Sequence, residues 1–218
     1  MLVIQVSEFD KKRKKIRLEN GESFLLYKGE LRRFSIREGE ELEQVDYEKI
    51  IEEVLKKRAL KRSLNLLVVR DYTKVTLEEK LQKGGYPKEV IDETISAMVT
   101  QGYIDHRRYA TNYYRQHKDK KSVREIEQAL YFKGIDKEEF EEYIVVDEDE
   151  ISVIEKCLIR KYYSKANKKN ELLTLDEKLE KVLSYILEES LEQKAKGFLY
   201  TKGFQKRDIE AVFEKERW

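Results

Sequence analysis

The chain has 218 residues, of which 41% are charged, and its 45 Lys and Arg against 44 Asp and Glu give a formal net charge of +1. Such a composition leaves narrow apolar stripes and excludes a large core. No apolar run approaches the roughly 20 residues that span a bilayer, so we expect neither a membrane segment nor a signal peptide, and a cytosolic protein. The single cysteine, Cys157, excludes an intrachain disulfide, and we expect its thiol to be buried and inert.

Residues 1–45 are predicted to form a small antiparallel β region. Asn20-Gly21 is a strong hairpin signal, and a second turn is expected at Lys28-Gly29, leading into a possible fourth strand over 31–36. The other predicted strands, rich in β-branched and aromatic residues, are 3–8, 15–19 and 23–27. A sheet of three or four strands is small, so its apolar face is expected to pack against the next helix or a partner.

Helices are predicted from there on. Asp46 is expected to cap a helix that ends near Lys56, and a second helix is expected from Arg58 to Arg70. Thr73 is the expected cap of the helix that ends at Lys83.

A unit of helix, glycine stop and helix then occurs three times. In each copy a leucine is followed four positions later by a glycine and a large apolar residue: Leu81 with Gly85-Tyr86, Leu130 with Gly134-Ile135, and Leu199 with Gly203-Phe204. Another apolar residue follows five positions on, at Ile91, Phe140 and Ile209. A glycine in the left-handed conformation closes a helix, and the next apolar residue packs back on its last turn. The pattern predicts tandem helical repeats.

The predicted boundaries are 46–104 for the first helical repeat, 105–146 for the second three-helix repeat and 147–218 for the third. Pro87 is expected as a first helical residue. Ser122 with Glu125 and Asp136 with Glu139 have capping-box spacing in the second repeat. The third repeat has about twenty additional residues, and Thr174 with Glu177 predicts an inserted helix there.

Charge is segregated along the chain. One basic run contains Lys11, Lys12, Arg13, Lys14, Lys15 and Arg17; a second contains Arg107, Arg108, Arg115, Lys118, Lys120, Lys121 and Arg124. An acidic run follows, with Glu138, Glu139, Glu141, Glu142, Asp147, Glu148, Asp149 and Glu150. Such blocks suit a patterned partner, or nucleic acid with the acidic part turned away.

The second basic run is the main candidate binding surface, for phosphates or an acidic protein face; the alternative is the solvated side of an amphipathic helix. Tyr114 is a candidate for stacking on a base. Lys83 and Lys133 are further candidates, although lysine near a helix C-terminus also offsets the helix dipole. The first basic run either binds a partner or forms a solvated turn.

Several strings resemble the RecX family, the bacterial regulators of the RecA recombinase. They are Gly102-Tyr103-Ile104-Asp105-His106-Arg107-Arg108-Tyr109-Ala110, Leu77 to Leu81 before Lys83-Gly84-Gly85-Tyr86, Ala129-Leu130 before Lys133-Gly134-Ile135, and Lys202-Gly203-Phe204. The chain departs from the family pattern at His106 and at Thr76, where a missing acidic residue is expected to weaken a cap.

The resemblance implies a mainly α protein of tandem three-helix repeats in an elongated, curved array, preceded by the small antiparallel sheet. It implies a monomer that binds the RecA filament in its helical groove and modulates, chiefly inhibits, its activity in recombination and repair. Single-stranded DNA is left open as a second partner.

No constellation for catalysis is present, so we expect no enzyme activity, no cofactor and no metal. His106 and His117 are the only histidines, and neither has a Cys or second His at ligand spacing. A helix-turn-helix transcription regulator is the alternative function, with the N-terminal hairpin as a wing. A purely structural scaffold is the third.

Overall fold

The computed structural model describes residues 1–146, 149–167 and 172–214. The chain divides into two compact units, Met1–His106 and Arg107–Trp218. Unit 1 contains β1 Val3–Glu8, β2 Arg13–Leu18, β3 Ser23–Tyr27, α1 Lys28–Arg33, α2 Gln44–Lys49, a π-helical segment Ile50–Lys56, α3 Lys57–Val69, α4 Lys74–Gln82 and α5 Lys88–Thr100. Unit 2 contains α6 His106–His117, whose first residue lies in unit 1, α7 Val123–Tyr131, α8 Lys137–Tyr143, α9 Glu150–Ala166, α10 Leu175–Glu188, α11 Glu192–Thr201 and α12 Lys206–Glu214. The predicted class, mainly helical with an N-terminal antiparallel sheet, is confirmed.

The sheet has the strand order β1-β2-β3, and both pairs are antiparallel. Gly21 has φ +89°, which places the hairpin turn where Asn20-Gly21 predicted it. Side chains alternate between faces, so Ile16 and Leu18 of β2 are buried while Lys15 and Arg17 are exposed. The apolar face of the sheet therefore packs into the core of unit 1.

The prediction of a fourth strand over 31–36 is wrong, because the chain after Tyr27 folds as helix α1, which ends at Arg33. The Glu30 carboxylate accepts the Tyr27 N–H at 2.7 Å and closes the first turn. Leu31 and Phe34 are both buried, and their spacing of three residues suits one face of a helix. Tertiary burial of that face outweighs the strand tendency of the segment.

The predicted pair of helices over 46–70 is a single continuous helix formed by α2, the π-helical segment and α3. Asp46 lies inside its first turn and Glu43 precedes it, so the predicted cap is wrong. No glycine or proline interrupts residues 44–69. Ile50 and Leu55 are both fully buried, and a π turn brings residues five apart onto one face. The widened turn keeps the helix on the core without a break.

Helix α4 begins as predicted after Thr73, whose side chain accepts the Thr76 N–H at 3.2 Å. Thr76 completes the capping box, since its hydroxyl accepts the Thr73 N–H at 2.9 Å. The expected loss at Thr76 is therefore wrong: a threonine hydroxyl supplies the acceptor that a glutamate would have provided. Pro87 precedes α5 rather than starting it, one residue from the expected place.

All three predicted glycine stops have the same hydrogen bonds. Each large apolar residue donates its N–H to the carbonyl of the leucine five positions earlier: Tyr86 to Leu81 at 3.4 Å, Ile135 to Leu130 at 3.1 Å and Phe204 to Leu199 at 3.3 Å. The three glycines have φ of +76°, +80° and +85°. This is the Schellman arrangement, which satisfies the last carbonyls of each helix. Ile91, Phe140 and Ile209 are buried behind the turns, as the spacing predicted.

Unit 2 has two apolar clusters. Helices α6, α7 and α8 enclose the smaller one, built from Ala110, Tyr114, Ile126, Leu130, Ile135, Phe140 and Ile144. Helices α9 to α12 enclose the larger one, in which Ile154, Val182 and Leu199 are buried. The predicted inserted helix is α10, and its capping box at Thr174 and Glu177 is confirmed.

Gly85 has a second role, because its backbone rests on the sheet. A Cβ on Gly85 would lie 2.4 Å from Leu25 Cγ, whereas a Cβ on Gly102 would meet nothing within 4 Å, although both residues have positive φ. Gly85→Ala should therefore lower the free energy of unfolding by more than the roughly 1–2 kcal/mol of left-handed strain expected for Gly102→Ala. Chemical denaturation of both variants measures the difference; equal losses would show that the contact with Leu25 does not matter.

Candidate functional site

The basic segment, defined as residues 107–124, spans α6, the following turn and the start of α7. Arg107, Arg108 and Arg115 lie on α6; Lys118, Lys120 and Lys121 lie in the turn; Arg124 lies in the first turn of α7. Arg108 and Arg115 are seven residues apart, so they share one exposed helix face.

The opposite side of α6 packs into the smaller cluster of unit 2. Ala110 is fully buried, and Tyr114, four residues on, is only 4% exposed. Stacking of Tyr114 on a base is therefore wrong, because its ring lies in the core. Tyr109, Tyr113 and His117 form a stacked row along the helix, with ring centroids 6.3 Å and 4.1 Å apart.

The turn that carries Lys118, Lys120 and Lys121 is anchored on α9. Lys156 Nζ lies 2.7 Å from the Asp119 carboxylate, and Arg160 donates to the Asp119 carbonyl at 2.9 Å. The Cys157 thiol donates to the Lys120 carbonyl at 3.4 Å. The only acidic residue of the segment thus points to α9, and its pKa is lowered chiefly by the hydrogen bond from Lys156.

Ser122 ties the same turn to the α11–α12 turn. Its hydroxyl accepts the Glu125 N–H at 3.0 Å and donates to the Lys202 carbonyl at 2.5 Å. Glu125 does not close the predicted capping box; its carboxylate lies 3.1 Å from Lys121 and 3.5 Å from Lys202. Two glycine-stop units are therefore joined through one buried serine.

The seven cations differ in how far they are neutralised. Arg107 lies 2.8 Å from Glu142 and covers the Tyr143 ring at 5.0 Å, and Lys121 is paired with Glu125. Arg108 and Lys118 have interactions of their own. Within the part of the chain that the structure describes, the exposed residues Arg115, Lys120 and Arg124 form no ion pair. These three carry the available positive charge.

The two remaining candidates lie apart from the segment in sequence. Lys83 belongs to unit 1, caps the C-terminus of α4 and lies 3.8 Å from Glu79. Lys133 follows α7 with its Nζ 5.9 Å from the Tyr113 ring. Both positions suit compensation of a helix dipole.

The described residues provide neither a metal site nor a helix that could span a membrane. Residues 1–146, 149–167 and 172–214 contain no group of three or more His, Cys, Asp or Glu side chains placed to hold a metal. Asp147 and Glu148 of the acidic run lie outside the described residues; Asp149 caps α9, and Glu150 accepts the Val123 N–H at 2.8 Å. Over the same ranges no helix combines the length and the apolar character needed to cross a bilayer.

Ser122→Ala should destabilise unit 2 more than Thr174→Ala does. Either change removes an N-cap, which costs about 0.5–2 kcal/mol. Ser122 is fully buried, so its loss also leaves the Lys202 carbonyl without its donor, a further penalty of about 1–3 kcal/mol. Denaturant midpoints of the two variants test this ranking, and a larger loss for the exposed Thr174 would contradict it.

Cys157 provides a chemical probe of the anchored turn. The residue is 4% exposed, and burial raises the pKa of its thiol, so little reactive thiolate forms near neutral pH. We expect a disulfide reagent such as DTNB to label the native protein far more slowly than the protein in denaturant. Rapid, complete labelling of the native protein would mean that the turn at 118–122 leaves α9 readily.

Comparison with known proteins agrees with this architecture. The RecX first three-helix domain model matches residues 59–96, which cover most of α3, α4 and part of α5. A regulatory protein RecX of Caldanaerobacter subterraneus subsp. tengcongensis is 27% identical over 179 residues, covering 80% of this chain and 79% of the relative. One from Finegoldia magna is 29% identical over 155 residues, covering 66% of this chain and 72% of the relative.

A solved structure of a regulatory protein RecX matches 98% of both chains with a TM-score of 0.54 and 21% identity, which shows a shared fold. The family model and the two relatives add a likeness in sequence that includes the first glycine-stop unit and extends over most of the chain. The predicted resemblance is therefore confirmed: the chain is similar in sequence to proteins named regulatory protein RecX, and it shares their fold.

Proposed function

We propose that this protein binds the filament of the RecA recombinase and restrains its activity in recombination and repair. The proposal rests on the relation to proteins named regulatory protein RecX. One observation supports a specific binding surface: Arg115, Lys120 and Arg124, called the trio, are exposed and form no ion pair within the described residues.

A filament on DNA offers acidic protein surfaces and phosphates, and either one would complement this trio. Anchoring through Asp119, Cys157 and Ser122 holds the turn in place before binding, so little conformational entropy is lost on association. The protein would occupy the helical groove and compete there with subunits or DNA. It would inhibit only if it binds one filament state more tightly than another.

The test is charge reversal at the trio. Arg115→Glu, Lys120→Glu and Arg124→Glu together should weaken binding to RecA filaments on single-stranded DNA at least about tenfold and reduce the inhibition of ATP hydrolysis to the same degree. The matched control reverses Lys165, Lys194 and Lys206, which are exposed in the same unit and change the net charge equally.

Binding is measured by co-sedimentation or surface plasmon resonance at two salt concentrations. If the wild-type protein neither binds the filaments nor alters their ATP hydrolysis, the proposed function is wrong. If the trio and control variants lose binding equally, the function stands but the surface lies elsewhere.

The transcription-regulator alternative receives less support. Of the helices that follow the glycine stops, α8 has Glu138 and Glu139 in its first turn. Lys88 of α5 is paired with Asp92 at 2.5 Å, and Arg207 of α12 is paired with Asp208 at 3.0 Å. Helix α8 is thus acidic at its start, and Lys88 and Arg207 are compensated, whereas a recognition helix presents free donors.

A further inference from the structure

The face of the sheet turned away from the core carries cations. In the observed register it is formed by Gln5, Ser7, Arg13, Lys15, Arg17, Ser23, Leu25 and Tyr27. No acidic residue stands among these strand positions. Lys15 and Arg17 are exposed and form no ion pair in the described part of the chain, while Arg13 is paired with Asp10 at 2.7 Å. The first basic run is therefore largely a strand and its preceding turn, with side chains on two faces.

A groove runs along this face where the α4–α5 turn meets the sheet. Phe9, Lys15 and Ser23 line its sheet side, and Gln82, Lys83 and Tyr86 line its helix side, around a volume of about 210 Å³. The close approach of Gly85 to Leu25 forms the groove by bringing the helical turn onto the sheet. Two lysines, a serine, a glutamine and three aromatic residues thus line one cleft that has no carboxylate in its lining.

Aromatic rings and guanidinium groups alternate beside the groove. Phe9 is 48% exposed and Tyr27 is 41% exposed. Arg13 covers the Phe9 ring at 4.9 Å and Arg58 covers the Tyr27 ring at 4.7 Å. Burial raises the pKa of Tyr86, and the positive charges of Arg58, Arg62 and Arg13 act in the opposite direction. Two arginines thus lie against exposed aromatic rings on this side of unit 1.

We propose that this outer face binds an unpaired nucleic-acid strand, with phosphates on Lys15 and Arg17 and a base in the groove against Phe9 or Tyr86. Cations without neighbouring acids attract the phosphate backbone, and exposed aromatic rings bind unstacked bases of any sequence. A paired base in a duplex presents no free ring face to such a groove. The surface belongs to unit 1 and its test requires no RecA, so it stands independently of the proposed function.

The experiment uses the full chain and fluorescence anisotropy with labelled oligothymidylate, oligouridylate and a DNA duplex, each of about 16 nucleotides per strand, a site size within reach of a small sheet module. Lys15→Glu with Arg17→Glu should weaken binding of the single strand at least about tenfold. It should also reduce the slope of log affinity against log salt by about 1.4, the value for two phosphates of a single strand. The control, Lys194→Glu with Lys206→Glu, has the same net charge and alters exposed positions in unit 2.

Phe9→Ala tests the stacking contact, and it should reduce affinity for the single strand without changing the salt slope, because no cation is lost. Lys15→Gln with Arg17→Gln is the milder pair if charge reversal disturbs the sheet, and circular dichroism verifies the fold of each variant. A preference for the DNA or the RNA strand identifies the natural source. The proposal is overturned if the charge-reversed pair binds as tightly as its control, or if the duplex binds as tightly as the single strand at equal phosphate concentration.

Discussion

The packing of this protein depends on one local arrangement, a helix closed by a left-handed glycine whose next apolar residue returns to the last helical turn. The bond from the residue after the glycine to the leucine five positions earlier occurs at Leu81, Leu130 and Leu199. Each turn redirects the chain so that the following helix buries an apolar residue against the preceding one. With so much of the chain charged, these turns concentrate the available apolar side chains into small cores.

The same turns also position the two surfaces for which binding is proposed. In unit 1, the turn at Gly85 rests on Leu25 and creates the groove beside the cationic face of the sheet. In unit 2, the turn at Gly203 approaches Ser122, and Ser122 holds the start of α7 through the Lys202 carbonyl. The glycine turns at Gly85 and Gly203 thus help to position charged residues of other elements. We infer that substitutions at these turns alter binding indirectly, through the position of the cations.

Ion pairing divides the basic residues into two groups that differ in how available they are to bind a partner. Arg107 and Lys121 form ion pairs with carboxylates at 2.8 Å and 3.1 Å, and a bound molecule must compete with those carboxylates. Arg115, Lys120 and Arg124 have no such competition within the described residues, and neither do Lys15 and Arg17 on the sheet. Even an exposed ion pair contributes little to stability, and these cations are in no ion pair. Their reversal should therefore change binding more than folding.

The sequence by itself determined the local structure: the hairpin at Asn20-Gly21, the three glycine stops, the inserted helix after Thr174 and the resemblance to RecX. These signals act within a few residues, because caps, turns and helical spacing are local hydrogen bonding and sterics. Only the tertiary structure decided that residues 28–33 are helical and 31–36 is no strand, that residues 44–69 are one helix with a π turn, and that Tyr114 is core. It also decided which cations remain unpaired, because partners such as Glu142 for Arg107 and Lys156 for Asp119 lie 35 and 37 residues away in the chain and are brought close only by packing.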